Sequence, residues 1–125
     1  MTDTRPTDAT ALLQVQQLTT GLGAHGPEIL SDVDLHLASG EVLGVVGESG
    51  SGKSMLALSI MGLLPAPIQL RSGSIRLSDV DLLALEPGAM RALRGKDIAM
   101  IFQDPMTSLN PVMRVGQQIG EVLHW

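Results

Sequence analysis

Residues 47–54 read GESGSGKS, and this stretch decides the fold because it fits the phosphate-binding pattern G-x-x-x-x-G-K-[ST] at every fixed position. Its glycines allow positive φ angles and, lacking a Cβ, let the backbone approach an anion closely. Lys53 supplies a mobile positive charge for phosphates, and Ser54 offers a hydroxyl to Mg²⁺. The predicted phosphate-binding residues are Gly47, Glu48, Ser49, Gly50, Ser51, Gly52, Lys53 and Ser54.

The residues on either side of this loop predict the setting that such a loop requires. Residues 42–46 form a short, continuous apolar run, which is typical of a strand buried on both faces in a parallel sheet. Met55–Leu64 is apolar almost all round and predicts a buried helix that ends before Pro65. The N-terminus of that helix directs partial positive charge at an anion. A flexible glycine-rich linker is the alternative, and the strand–loop–helix order favours the phosphate site.

The remaining pattern predicts a second kind of strand. Segments that alternate between apolar and polar residues indicate an antiparallel sheet with one solvated face. These segments are Leu13–Gln16, Val33–Leu37 and Ser74–Ser78. Ile98–Phe102 is continuously apolar, like residues 42–46, and predicts a second buried parallel strand. Glycine and proline predict a loop over Thr19–Pro27, and short helices are predicted over Ala89–Arg94 and from Val115 onward.

Composition limits the class of protein. A length of 125 residues with 44% hydrophobic residues predicts one domain over residues 12–125, after a disordered tail at residues 1–11. The tail has no apolar run and is therefore no signal peptide. The net charge of −5 argues against nucleic acid as a partner, and the lack of cysteine excludes disulfides and thiolate catalysis. No segment approaches the roughly 18 apolar residues of a membrane span, so we expect a soluble, cytoplasmic protein.

A second stretch narrows the family. Residues 100–111 read MIFQDPMTSLNP, downstream of the GESGSGKS loop. On these stretches, with Ser72–Ile75 and Arg91–Ile98, the sequence resembles the ATP-binding subunit of an ABC transporter, in the branch that imports dipeptides, oligopeptides, glutathione or nickel. The resemblance runs from about Leu13 to the last residue.

This resemblance implies a fold and a site. The fold is α/β, of the P-loop NTPase class: an ABC-type nucleotide-binding domain with an antiparallel β-subdomain and a mixed core sheet around the P-loop helix. The ligands are ATP and Mg²⁺, with Lys53 and Gln103 as catalytic residues and Ser54 and Gln103 as metal ligands. Gln103 matches the Q-loop glutamine, whose carbonyl can reach Mg²⁺ or the attacking water. Leu22 stands where the family has an aromatic residue on adenine, and Met55 where many relatives have a threonine near the α-phosphate.

The resemblance also implies partners. The loop Gln103–Met113 docks on transmembrane permease subunits, and a second ATP-binding subunit, identical or paralogous, completes the site. A solute-binding protein takes part indirectly, and the complex lies on the inner face of the bacterial cell membrane. The family's LSGGQ signature, catalytic glutamate motif and switch histidine are not matched in this sequence. We therefore expect the incomplete, N-terminal part of an ABC ATP-binding domain, with negligible ATP turnover alone.

Two alternatives stay open. In the first, the chain is a truncated, non-catalytic nucleotide-binding fragment whose open sheet edges leave it marginally stable. In the second, it is a small complete P-loop NTPase. In that case Ile98–Phe102 corresponds to the apolar strand of other P-loop ATPases, and Asp104 to the aspartate that binds magnesium after it.

Overall fold

An antiparallel sheet is the main element of the computed structural model, which describes residues 11–104 and 108–124. In the order β2-β1-β3-β4, it contains the strands β1 (Ala11–Leu22), β2 (Glu28–Ala38), β3 (Ile68–Leu77) and β4 (Val80–Asp81). The described residues also form the helices α1 (Lys53–Ile60), α2 (Pro87–Leu93) and α3 (Val115–Glu121). Short 3₁₀ turns lie at Leu82–Ala84 and Val122–His124.

The alternating segments form this sheet, as predicted. β1 is antiparallel to β2 on one side and to β3 on the other, so that Val15 pairs with Leu35 and with Ile75. Val15 and Ile75 are 1% and 0% exposed, whereas their polar neighbours Gln16 and Arg76 are exposed. Each strand therefore buries one face and leaves the other in solvent, which is the arrangement that its alternation favours.

β1 is longer than predicted, and the loop prediction for Thr19–Pro27 is wrong in its first half. The strand continues to Leu22 because β3 pairs with it along this stretch, for example at Thr20 with Leu70. Only the residues between Leu22 and Glu28 form the turn that leads into β2. Cross-strand hydrogen bonds thus override the local preference of Gly21 for a turn.

A bulge in β1 depends on one glycine of β3. Gln17 has a φ of 48°, and the register of β1 shifts there against both neighbours. Gly73, with a φ of 104°, faces this bulge, and a Cβ on it would lie 2.6 Å from the Cα of Leu18. The close approach keeps Leu18 fully buried, and it requires glycine on β3.

The hydrophobic core lies between the sheet and helices α1 and α2. Its buried members are Val15, Leu18, Leu30, Leu56, Ile75, Leu82 and Met90. They come from three strands, both helices and one 3₁₀ turn, and none is aromatic. The core therefore attaches α1, and with it the end of the GESGSGKS loop, directly to the sheet.

The two predicted parallel strands are wrong for the described residues. Residues 42–46 form no strand, and Val42 and Val46 are 95% and 84% exposed. Residues 98–102 make only one isolated bridge, between Ile98 and Arg94, and Ile101 is 98% exposed. A parallel strand needs neighbouring strands for its hydrogen bonds, and no strand within residues 11–104 and 108–124 lies along either run. The mixed core sheet is therefore not formed in this part of the chain.

The helices begin and end close to the predicted residues. α1 covers Lys53–Ile60 instead of Met55–Leu64, and it ends in a turn at Gly62, whose φ is 63°. α2 begins at Pro87, a residue suited to a first helical turn, and ends at Leu93. α3 begins at Val115, as predicted. None of the helices that the structure describes is long and apolar enough to cross a membrane.

The predicted tail at residues 1–11 lies outside the described residues, apart from Ala11. Ala11 is the first residue of β1 and pairs with Ala38 of β2. The predicted domain boundary thus falls one residue after the first residue of the sheet.

Candidate nucleotide-binding site

The loop at residues 47–52 turns tightly before α1. Gly50 and Gly52 take φ angles of 82° and 97°, in the left-handed region that disfavours other residues. The amide of Ser51 donates to the carbonyl of Glu48 at 3.1 Å, which closes the turn. The side chains of Glu48 and Ser49 are exposed. The sequence pattern therefore forms a compact glycine turn that opens to solvent.

Gly52 fixes the end of this loop against the sheet. A Cβ at this position would lie 2.7 Å from Cδ2 of Leu30 and 3.5 Å from the carbonyl oxygen of Ile29, both in β2. Gly52 is also the N-cap of α1, and its carbonyl accepts from the amide of Leu56 at 2.9 Å. Leu56 is 7% exposed and belongs to the core. The start of α1 is thus held between the loop and the hydrophobic core.

The ammonium group of Lys53 lies inside the loop. Its Nζ donates to the carbonyl oxygens of Gly47 and Glu48 at 2.7 and 2.8 Å, and to Oγ of Ser51 at 3.1 Å. An ammonium has three donors, so the loop satisfies all of them. The first turn of α1 contains no acidic residue. The positive charge of Lys53 and the N-terminus of α1 therefore lie together at the loop, an arrangement that favours binding of an anion.

Ser54 and Met55 follow Lys53 but face different surroundings. Ser54 is exposed in the first turn of α1, and its hydroxyl makes no hydrogen bond to the described residues. Met55 is half-buried and packs against the core. Ser54 is thus accessible to a ligand, whereas Met55 supports the packing of α1; their predicted contacts with magnesium and the α-phosphate stay predictions.

Leu22 lies at the end of the sheet that adjoins the loop. It is the last residue of β1 and 44% exposed. Its neighbour Gly21 pairs with Glu28, and the next two residues of β2 contact Gly52. The exposed Leu22 side chain is therefore separated from the phosphate loop by only a few residues along β2, which is compatible with the predicted adenine contact.

Gln103 and Asp104 are exposed and come directly after residues 98–102, which form no strand. Within the described residues, Lys53 Nζ bonds to Gly47, Glu48 and Ser51 and not to Gln103, so the predicted role of Gln103 at the site stays a prediction. The described ranges contain no cluster of three or more His, Cys, Asp or Glu that could hold a metal. In phosphate loops of this pattern the Ser or Thr hydroxyl binds Mg²⁺, and substrate phosphates and waters fill other positions of its shell. Ser54 fits that role.

Two arginines have structural roles that sequence patterns did not indicate. Arg94 lies after α2 and donates through Nε to the carbonyl of Met61 at 2.8 Å and through Nη2 to that of Gly62 at 2.9 Å. It therefore caps the C-terminal end of α1. Arg71 of β3 binds carbonyls of the β1–β2 turn. Their acceptors lie more than 30 residues away in the chain, so no local signal could have identified either contact.

A comparison with protein-family models identifies the family of this chain. The model of the ABC transporter family matches residues 30–124, which contain the phosphate loop, α1 and Gln103. The chain belongs to the ABC transporter family. Family membership implies ATP binding.

Individual ABC transporter proteins align with most of the chain. It is 50% identical to the dipeptide transport ATP-binding protein DppD of Haemophilus influenzae, over 90% of this chain and 35% of that protein. It is 49% identical to the oligopeptide transport ATP-binding protein OppD of Bacillus subtilis, over 91% of this chain and 33% of that protein. It is 46% identical to the peptidoglycan transport ATP-binding protein YejF of Agrobacterium fabrum, over 95% of this chain and 22% of that protein. The chain spans about a third of the length of the first two relatives.

Proposed function

We propose that this chain carries the ATP-binding loop of an ABC transporter subunit that hydrolyses ATP to energise the import of peptides or related small solutes. The observation that carries the proposal is the position of Lys53 Nζ, enclosed by the GESGSGKS loop at the N-terminus of α1. The relatives that support the solute class are named for dipeptide and oligopeptide transport.

The loop supplies binding and charge stabilisation. Lys53 exchanges its bonds to Gly47 and Glu48 for the β- and γ-phosphate oxygens of ATP, while loop amides and the start of α1 hold the remaining negative charge. Ser54 provides a hydroxyl to the accompanying Mg²⁺. Water attacks the γ-phosphorus, the bond from that phosphorus to the bridging oxygen breaks, and ADP leaves with that oxygen's electron pair. The proton that the water loses passes to the released phosphate or to solvent.

Gln103 and its loop connect this chemistry to transport in the same proposal. The glutamine carbonyl orients magnesium or the attacking water, and the loop Gln103–Met113 docks on transmembrane permease subunits. A second ATP-binding subunit, identical or paralogous, closes the site, and a solute-binding protein delivers the solute. The protein then works in the cytoplasm, attached to the inner face of the bacterial cell membrane.

A non-catalytic nucleotide-binding role is the second candidate. The observation that favours it is the exposure of two apolar runs, in which Val42 and Ile101 are 95% and 98% exposed. With these runs uncovered, the chain binds nucleotide and lacks the closed site that turnover requires. The small-NTPase alternative receives less support, because the strand needed to position Asp104 is not formed by residues 98–102.

Calorimetric titration of the 125-residue chain tests the proposal. We expect MgATP and MgADP to bind and AMP, which lacks the β- and γ-phosphates, to bind at least about tenfold more weakly, a difference of about 1.4 kcal/mol. Equal affinity for AMP would remove the phosphate-loop assignment. Phosphate release, followed in parallel, separates both candidates from the small-NTPase alternative, which predicts ATP turnover by this chain alone. We expect negligible turnover from the chain alone, since positioned groups contribute roughly 10³–10⁵ to phosphoryl-transfer rates.

A further inference from the structure

Arg71 holds the turn between β1 and β2 from the neighbouring strand β3. Its Nη2 donates to the carbonyl oxygens of Gly26 at 2.6 Å, Gly23 at 2.9 Å and Leu22 at 3.5 Å, and its Nε donates to Gly23 at 3.2 Å. The turn spans residues 23–27. One guanidinium thus ties together both ends of the turn through charge-assisted hydrogen bonds.

The clamp is built into the sheet. The Arg71 side chain is half-buried, and it crosses Gly21, where a Cβ would overlap the guanidinium. The amide of Gly23 donates to the carbonyl of Pro67 at 2.9 Å, so the segment before β3 also holds the turn. Because Gly21 has no Cβ, the side chain of Arg71 can pass over it and reach the carbonyl oxygens of the turn.

This turn lies at the end of the sheet that contacts the phosphate loop. Gly21 pairs with Glu28, and Leu30, two residues farther along β2, is the residue that Gly52 packs against. Two residues of extended strand cover about 7 Å. The Leu22 turn and the phosphate loop therefore lie close together at the same end of the sheet.

We propose that Arg71 is a positioning residue for the base of the bound nucleotide. It keeps the Leu22 turn in one conformation, so that the exposed Leu22 side chain presents an apolar surface to the base. Leucine offers no aromatic face on which the base could stack. The affinity for the base therefore depends on an apolar surface that is already ordered before binding, so that no entropy is lost in ordering the turn. The inference rests on the proposed nucleotide site, and it adds a residue of β3 that touches neither phosphate nor base.

Binding of ATP and of inorganic tripolyphosphate by an Arg71→Met variant tests the proposal. The two probes share the phosphates, and only ATP has a base. We expect Arg71→Met to weaken MgATP binding about three- to tenfold and to leave tripolyphosphate binding unchanged. We also expect faster amide hydrogen exchange in residues 23–26, because the turn loses its clamp. Arg71→Lys, which keeps the charge and loses the planar fork, should give a smaller change in the same direction.

Arg76→Met is the matched control. Arg76 lies on the same strand and is exposed, and among the described residues its side chain donates only to the carbonyl of Asp79, at 3.3 Å. It should leave both affinities unchanged. Equal losses of ATP and tripolyphosphate binding in Arg71→Met, or no loss of either, would overturn the positioning role while leaving the phosphate site intact. Failure of the unsubstituted chain to bind either probe would instead overturn the proposed function, and this inference with it.

Discussion

Gly52 of the phosphate loop packs directly against Leu30 of β2, so closely that a Cβ on Gly52 would lie 2.7 Å from Cδ2 of Leu30. Leu30 is itself 5% exposed and part of the core. The contact places the end of the loop on the antiparallel sheet. The phosphate site therefore depends on a strand as well as on its own glycine turn.

Gly52→Ala tests this dependence. Alanine would have to adopt a φ of 97° and displace Leu30, so we expect the free energy of unfolding to fall by about 1–3 kcal/mol and MgATP binding to weaken. Gly88→Ala is the control, because Gly88 lies in α2 with open space around it. That control should leave stability unchanged or raise it by up to about 1 kcal/mol. Urea unfolding that shows equal effects of the two substitutions would contradict the role of Gly52.

Gly73→Ala tests the bulge that shapes β1. A Cβ on Gly73 would meet backbone atoms, at 2.6 Å from the Cα of Leu18, and backbone cannot rotate away as a side chain can. Gly95 also has a positive φ, of 81°, with open space around it, so Gly95→Ala isolates the cost of the backbone angle. We expect Gly73→Ala to be more destabilising than Gly95→Ala by about 1–3 kcal/mol. Equal urea midpoints for the two variants would show that the bulge rearranges to accommodate the Cβ, and would contradict the role of Gly73.

Arg94→Met tests the cap on α1. It removes two charge-assisted hydrogen bonds, to Met61 and Gly62, and we expect a loss of about 1–3 kcal/mol in the free energy of unfolding. Arg91→Met is the control, since Arg91 is exposed in the last turn of α2. Chemical denaturation followed by circular dichroism measures both. If Arg91→Met lowered the free energy of unfolding as much as Arg94→Met does, the effect would come from removing a positive charge and not from losing the cap.

The parts of this structure that could be predicted from sequence are those set by neighbouring residues. The GESGSGKS pattern encodes its own turn, because the positive φ angles fall on Gly50 and Gly52. Alternation located all of the long antiparallel strands, because one face of each packs on the same core. In both cases the residues close together in the sequence were sufficient to predict the local structure.

The parts that could not be predicted depend on distant residues. Residues 42–46 have the composition of a buried parallel strand, yet no strand of the described residues pairs with them, and the chain spans about a third of the length of its relatives DppD and OppD. The roles of Arg71 and Arg94 arise only when the fold brings distant carbonyl oxygens to them. Leu22 was predicted in a loop and lies in β1, because its partner Ile68 comes much later in the chain.

The most direct test of the central claim is the affinity of Lys53→Ala for MgATP, compared with that of Lys96→Ala. Lys53 Nζ lies within the phosphate loop, whereas Lys96 is exposed in the turn after α2. The account predicts at least about a tenfold loss for Lys53→Ala and none for Lys96→Ala, since only the first removes a charge-assisted contact to phosphate. Unchanged MgATP binding by a folded Lys53→Ala chain would contradict the assignment of residues 47–54 as the nucleotide site.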